Sequence, residues 1–200
     1  MKRPYDQLSH AVLCLVGLAA TIGPRSANAQ SAQAYSVQLA ALFTSFNSGA
    51  SNNIRGAGVE PQFRFNRLWQ SETAGTVSLG IGGQWTRHTS GPQQLTITGV
   101  FAEPRWVWHS PVGGLYPYAA GRLALLRQSS NFGTSSTGSA LGAGGGFAYP
   151  ITQRVNLDAG VAFVRQKFGD FRLTDGNREE SFNAFNTYAA KIGFSFGLPR

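Results

Sequence analysis

The sequence predicts an all-β fold: an eight-stranded antiparallel up-and-down transmembrane β-barrel that follows a cleaved signal peptide. Three observations predict it. Past residue 35 the chain divides into eight stretches of period-two alternation, separated by Gly/Ser/Asn/Pro clusters. One face of these stretches is bulky and apolar, the other small or polar. The connections also alternate in length, short after the second, fourth and sixth stretches and longer after the others. No segment carries a sustained 3.6-residue repeat, so helix is expected to be nearly absent.

The leader comes first. Lys2 and Arg3 form a basic start, Ala11 to Ile22 an apolar run, and Ala27-Asn28-Ala29 a small-residue cleavage site. An apolar run of about twelve residues is too short to cross a bilayer as a helix. Residues 1–29 are therefore expected to be a signal peptide, and residues 30–200 the barrel domain, with cleavage after Ala34 as an alternative. The only cysteine, Cys14, lies in the leader, so the mature chain is expected to hold no disulfide. Val12 and Leu13 before it do not suit a lipidated cysteine. Setting aside Lys2, Arg3, Arg25 and Asp6, the 17 basic and 9 acidic residues fall to 14 and 8. That basic balance points to polyanions met outside the cytoplasm, and no nucleic acid is expected. No later segment is apolar enough for a membrane helix.

The eight stretches run near 35–45, 55–69, 76–88, 95–108, 115–127, 138–150, 155–168 and 185–198. The second places Val59, Phe63 and Phe65 on one side. The third alternates Val77, Leu79 and Ile81 with Ser78, Gly80 and Gly82. The fifth carries Leu123 and Leu125, the sixth Gly142, Gly144 and Gly146, and the seventh Val161 and Phe163. The eighth alternates Ile192, Phe194 and Phe196 with Thr187, Ala189, Gly193 and Ser195. A barrel of eight strands has little interior space, so small groups belong inside. A soluble barrel alternates as well, with its apolar side inward. Its exterior would be rich in Lys and Glu, and this polar face is not, so the bulky face is expected to meet lipid. Aromatic residues agree. Tyr35, Trp69, Trp106, Trp108, Tyr149 and Phe196 fall at one rim, and Phe43, Trp85, Phe163 and Tyr188 at the other, as two interfacial girdles require.

Two stretches, Gly58-Val-Glu-Pro-Gln-Phe-Arg-Phe65 and Phe101-Ala-Glu-Pro-Arg-Trp-Val-Trp108, put a Glu and an Arg on the small face. Glu60, Arg64, Glu103 and Arg105 are joined there by Arg122, Asp158 and Lys191. Buried charges are tolerated only when paired and hydrogen-bonded. The expectation is a lumen ion-pair network, Glu60 and Glu103 with Arg64, Arg105 and Arg122, and Asp158 with Lys191, that plugs the barrel. The rival role, an ion-conducting or catalytic set, needs a wider barrel or an accessible cleft. Pro61 and Pro104 fall on the bulky face, where a missing N–H calls for a β-bulge or a break in the ladder.

On these features the chain resembles the OmpA/OmpX-type eight-stranded outer-membrane β-barrels over about residues 35–198. The end of the chain, Lys191-Ile-Gly193-Phe-Ser-Phe196-Gly-Leu198, is similar to the assembly signal of such barrels. The resemblance implies insertion by the outer-membrane barrel assembly machinery, with periplasmic chaperones as partners, read from Lys191, Gly193, Phe196 and Leu198. It departs from the pattern in ending on Pro199-Arg200 rather than an aromatic residue. The location expected is the cell outer membrane, and the chain is expected to be a monomer.

Candidate chemistry is sparse. His88 and His109 fall at opposite rims, so no metal site is expected. His109 beside Ser110 resembles the pair of an outer-membrane lipid A-modifying hydrolase, but no acid stands ready to orient the ring. Asp175-Gly-Asn-Arg-Glu-Glu180 lacks the glycine of a calcium loop and reads as a solvated loop. Gly142-Ala-Gly-Gly-Gly-Phe147 opens no helix, so it does not cradle phosphate. Arg55, Arg87, Arg127, Arg165 and Lys167 share the lipid-facing parity at the long-loop ends of their strands, which suits a rim facing lipopolysaccharide phosphates. The expected role is non-enzymatic and cofactor-free: envelope structure or surface interaction through the long loops. The alternatives are the lipid A-modifying hydrolase and a soluble lipocalin-like carrier.

Overall fold

A computed structural model describes residues 33–47, 54–109 and 111–198. The expected leader, Cys14, Ser110 and Pro199-Arg200 lie outside the described residues. Eight strands follow one another: β1 (Tyr35–Asn47), β2 (Ile54–Ser71), β3 (Gly75–Ser90), β4 (Gln93–Val107), β5 (Tyr116–Ser130), β6 (Ser136–Pro150), β7 (Val155–Phe168) and β8 (Ala184–Gly197). Each pairs antiparallel with its sequence neighbour, and β8 closes on β1. At 13 to 18 residues each, the strands exceed the roughly 9–11 needed to cross a bilayer with tilt. Among the described residues the only helical element is one 3-10 turn, Glu180–Phe182. No described helix is long and apolar enough to cross a membrane.

The register sets the tilt. One row of paired residues starts at Val37 and runs through Phe63, Ile81, Ala102, Leu123, Leu141, Arg165 and Asn186. It returns to β1 at Asn47, ten residues beyond its start. Such a shear inclines every strand to the barrel axis, and each row climbs from the end bearing the termini toward the opposite, loop end.

Alternation then sorts the faces as expected. Phe63 (37% exposed), Leu123 (57%) and Val161 (68%) point out, while Glu60 (1%), Arg105 (2%) and Arg122 (9%) point into the lumen. Closure leaves no free edge among the strands, so their interior backbone groups are met by neighbours, which a lipid surround demands. Tyr35, Trp69, Trp108 and Phe196 are exposed at the termini end, and Phe43, Trp85, Phe163 and Tyr188 at the loop end. Trp106 and Tyr149 are half-buried.

Two expectations change. The lumen is not uniformly small and polar: toward the loop end it holds Phe46, Leu95, Ile97, Phe101, Leu126, Phe168 and Phe185 as an apolar core. Glycines make the room for these side chains: an added Cβ on Gly99 would come within 2.7 Å of Leu126 Cδ2, and one on Gly138 within 2.8 Å of Phe168 Cδ1. The alternation of loop lengths is also incomplete. Residues 91–92 make a two-residue turn on the long-loop side, with Gly91 at φ +59°, because a tight hairpin needs positive φ at its first central position. On the other side, residues 108–115 form an eight-residue connection that folds on itself through the Val112–Leu115 bridge. Pro61 and Pro104 follow the second of the two expected courses, a break in the ladder rather than a bulge. Each pairs across one ladder, with Leu39 and Leu79, and interrupts the other, where β2–β3 pairing skips from Val59 to Gln62 and β4–β5 pairing from Ala102 to Arg105. The register resumes unchanged. The bulge sits instead between Phe65 and Trp69, beside the termini end.

Candidate functional site

The seven lumen residues expected from the sequence converge in one cluster. Glu103 is its hub. It accepts from Arg64 Nη2 at 2.8 Å, Arg105 Nη2 at 3.1 Å and Lys191 Nζ at 2.7 Å, with Arg122 Nη1 at 3.6 Å. Glu60 faces Arg122 Nη1 at 2.8 Å and Lys191 Nζ at 3.4 Å. The first of these is an electrostatic contact lying off the hydrogen-bonding direction, since Glu60 Oε2 has no hydrogen-bond partner. Asp158 corrects the expected pairing. It takes Arg105, at 2.5 Å and 3.3 Å, rather than Lys191. Lys191, further along the barrel on β8, reaches Glu60 and Glu103 instead.

The strand architecture explains how side chains on different strands meet. Arg64 and Glu103 are both paired with Gly80 of β3. A Cβ on Gly80 would stand 1.8 Å from Gln62 Nε2 and 3.0 Å from Arg64 Nη2, so glycine leaves room for both side chains to lie across β3. On the other wall, Tyr118 lies over Gly146 and Gly160, where added Cβ atoms would come within 2.6 Å and 2.4 Å of its hydroxyl. That bare floor lets Tyr118 donate to Asp158 Oδ1 at 2.9 Å. The glycine run on β6 thus serves close approach.

Four bases face three acids, and aromatic faces take up part of the surplus positive charge. Arg105 lies 3.8 Å from the centre of the Tyr118 ring, and Arg122 lies 3.8 Å from that of Phe101. Arg122 also donates to Gln84 Oε1 at 2.7 Å, and Arg64 to Ser78 Oγ at 3.0 Å and Gln62 Oε1 at 2.9 Å. Tyr118, Phe101, Gln62, Ser78 and Gln84 are members that sequence reasoning missed. Their lumen-facing parity was the available signal, but parity does not say which neighbour a long side chain will reach. A cavity of about 50 Å³ beside Gln84, Arg122 and Lys191 has room for a few water molecules.

Above this ionic layer stands the apolar one, and above that the loops. Phe132 of the 131–135 connection packs edge-on against Phe171 and at a tilt against Phe182 of the 169–183 connection, with ring centres 5.6 and 5.4 Å away. Phe171 is fully buried. A Gly133–Leu173 bridge and the Thr134 N–H to Arg172 carbonyl bond (2.8 Å) tie the two connections together.

The histidines do other work. His109 Nε2 lies 2.7 Å from Thr76 Oγ1, and its Nδ1 is 3.4 Å from the Glu72 carbonyl. His88 is buried, 2.7 Å from Thr44 Oγ1 and edge-on to Phe46. They do not meet, and among the described residues no group of three or more metal-ligating side chains forms. In the 175–180 segment, Asp175 accepts from the Asn177 backbone N–H at 2.9 Å, a local turn. Arg55, Arg87, Arg127, Arg165 and Lys167 all stand exposed on the outer wall. On β8, Lys191 and Gly193 face inward, Phe196 faces outward, and Leu198 is half-buried beside β1.

No family model and no curated relative matches the sequence. Solved structures do match in fold. Neisserial surface protein A is 17% identical, with 82% of this chain and 97% of that chain covered and a TM-score of 0.58. The outer membrane enzyme PagL is 12% identical, with 82% and 99% covered and a TM-score of 0.56. These likenesses carry the fold. The protein has the closed eight-stranded architecture of outer-membrane β-barrels, as the OmpA/OmpX-type resemblance implies. An apolar belt outside and charge within give the barrel a wall suited to lipid.

Proposed function

We propose that the protein is a non-enzymatic barrel with a closed lumen, serving envelope structure and surface interaction through its loop end. The observation that carries this reading is the stacking of two stoppers. A seven-residue ion-paired layer spans the lumen, and an apolar layer with an aromatic lid closes the loop end. A solute would have to break several buried ion pairs at once, each costing about 3–5 kcal/mol when one partner is removed. The histidines support the non-enzymatic half: His109 is engaged by Thr76, and His88 is enclosed in the lumen away from lipid. In this reading the loop end faces the cell exterior. The wall is surrounded by outer-membrane lipid and lipopolysaccharide, with Arg55, Arg87, Arg127, Arg165 and Lys167 at the headgroup level. Periplasmic chaperones deliver the chain, the assembly machinery reads Lys191, Gly193, Phe196 and Leu198, and the barrel works as a monomer. Planar-bilayer recording of the refolded protein tests the closed lumen. No conductance steps are expected, and a discrete, reproducible conductance would overturn it.

A further inference from the structure

The outer wall is not uniform around its circumference. Two adjacent rows of the register cross β3 to β7. One runs Ile81, Ala102, Leu123, Leu141, Arg165, and the next pairs Val100, Leu125, Ser139 and Lys167. Small side chains at Ala102 and Ser139, set among leucines, leave a groove of about 740 Å³ along these rows. That size falls within the roughly 300–1,000 Å³ of small-molecule sites. Because every row climbs toward the loop end, the groove starts low at Ile81, among apolar side chains, and ends high at Arg165 and Lys167. One residue pair further up, Arg127 and Thr137 face each other across β5–β6.

Three cations and two hydroxyls, Thr137 and Ser139, thus crown a single apolar trough, all of them exposed. Among the described residues no carboxylate pairs with Arg127, Arg165 or Lys167, although Arg178 in the nearby loop has two acidic partners. The other rim cations differ. Arg87 is held by the Gln94 amide oxygen, and neither Arg87 nor Arg55 borders the groove.

We infer that the β5–β7 wall is a discrete site for one phosphorylated glycolipid of the lipid A class. This rests on the outer-leaflet reading above. A phosphate sits among Arg127, Arg165 and Lys167, Thr137 and Ser139 meet the sugar, and one acyl chain descends the groove past Leu141 and Leu123 to Ile81. The chemistry matches on three counts: guanidinium forks suit phosphate, three unneutralised cations suit a ligand with more than one negative charge, and the groove suits an acyl chain. A phospholipid with one phosphodiester leaves part of the positive charge unmet and offers the hydroxyls no sugar ring.

Native mass spectrometry of the detergent-solubilised barrel, with diphosphorylated lipid A, its monophosphorylated form and phosphatidylglycerol as probes, tests the inference. Folding of each variant is checked by its heat-dependent gel shift. The expected result is one lipid A bound per barrel, weakened about a hundredfold in Arg127→Gln/Arg165→Gln/Lys167→Gln and also weakened in Ser139→Leu, which fills the groove. Arg55→Gln/Arg87→Gln is expected to bind like the parent. Equal losses in both cation sets would overturn the discrete site while leaving a diffuse basic rim intact. Unchanged binding in both sets would overturn the site and the rim together. Phosphatidylglycerol binding as tightly as lipid A would overturn the assignment of the ligand.

Discussion

Replacing Glu103 by Gln removes the hub of the lumen network while keeping its shape. In the parent, this carboxylate takes three charge-assisted hydrogen bonds, from Arg64, Arg105 and Lys191, all with side chains 12% exposed or less. The amide keeps one acceptor, toward the arginines, and turns two N–H donors toward the Lys191 ammonium. Four bases then face only Glu60 and Asp158. Removing one partner of a buried ion pair costs about 3–5 kcal/mol, and each charge-assisted bond contributes about 1.5–3 kcal/mol. Two of the three bonds keep an acceptor but lose its charge, the third is lost, and the expected loss is about 3–5 kcal/mol. Urea unfolding of the refolded barrel in lipid vesicles, followed by tryptophan fluorescence and by the heat-dependent gel shift, measures it as a lower midpoint at constant slope. The mechanism makes a second demand. Adding Lys191→Met removes the ammonium left facing the amide donors with only the longer Glu60 contact, so the double variant is expected to recover more than about 1 kcal/mol relative to Glu103→Gln. A loss below about 1 kcal/mol in the single variant, or additive losses in the double, would refute the reasoning.

Other consequences are simpler. Val161→Arg puts a charge on the outward face of the middle of β7 and is expected to lower stability by about 2–4 kcal/mol in lipid, while Arg165→Leu, nearer the loop end, changes it by less than about 1 kcal/mol; equal effects on equilibrium unfolding would mean that the wall does not meet lipid. Gly160→Ala sets a methyl 2.4 Å from the Tyr118 hydroxyl, so a loss of about 1–3 kcal/mol is expected from the displaced ring, and unaltered denaturation would show that the ring has room to move. Phe171→Ala removes the centre of the aromatic lid; its bilayer recordings are expected to stay silent because the ionic layer beneath is intact, and channel steps would place the real stopper in the loops. His109→Ala is expected to leave the acylation pattern of lipid A unchanged in cells expressing the protein, as read by mass spectrometry, whereas a changed pattern would revive the hydrolase.

The amino-acid sequence by itself determined the architecture. Period-two alternation is a local property of each strand, and in a closed barrel it decides inside from outside without reference to any other strand. Glu60, Arg64, Glu103, Arg105, Arg122, Asp158 and Lys191 could therefore be assigned to the lumen from parity alone. What parity cannot supply is height along the axis, because that depends on the shear accumulated over all eight pairings. Only the folded barrel decided that Asp158 meets Arg105 and that Lys191 rises to Glu103. Long-range register likewise decided that Tyr118 crosses two glycines of other strands. It also set the phenylalanines of β1, β4, β7 and β8 together as an apolar stopper at one mouth. The prolines divide the same way. That each lacks an N–H is written in the residue, but which ladder goes unpaired depends on the side to which that missing donor would have pointed once the sheet had closed.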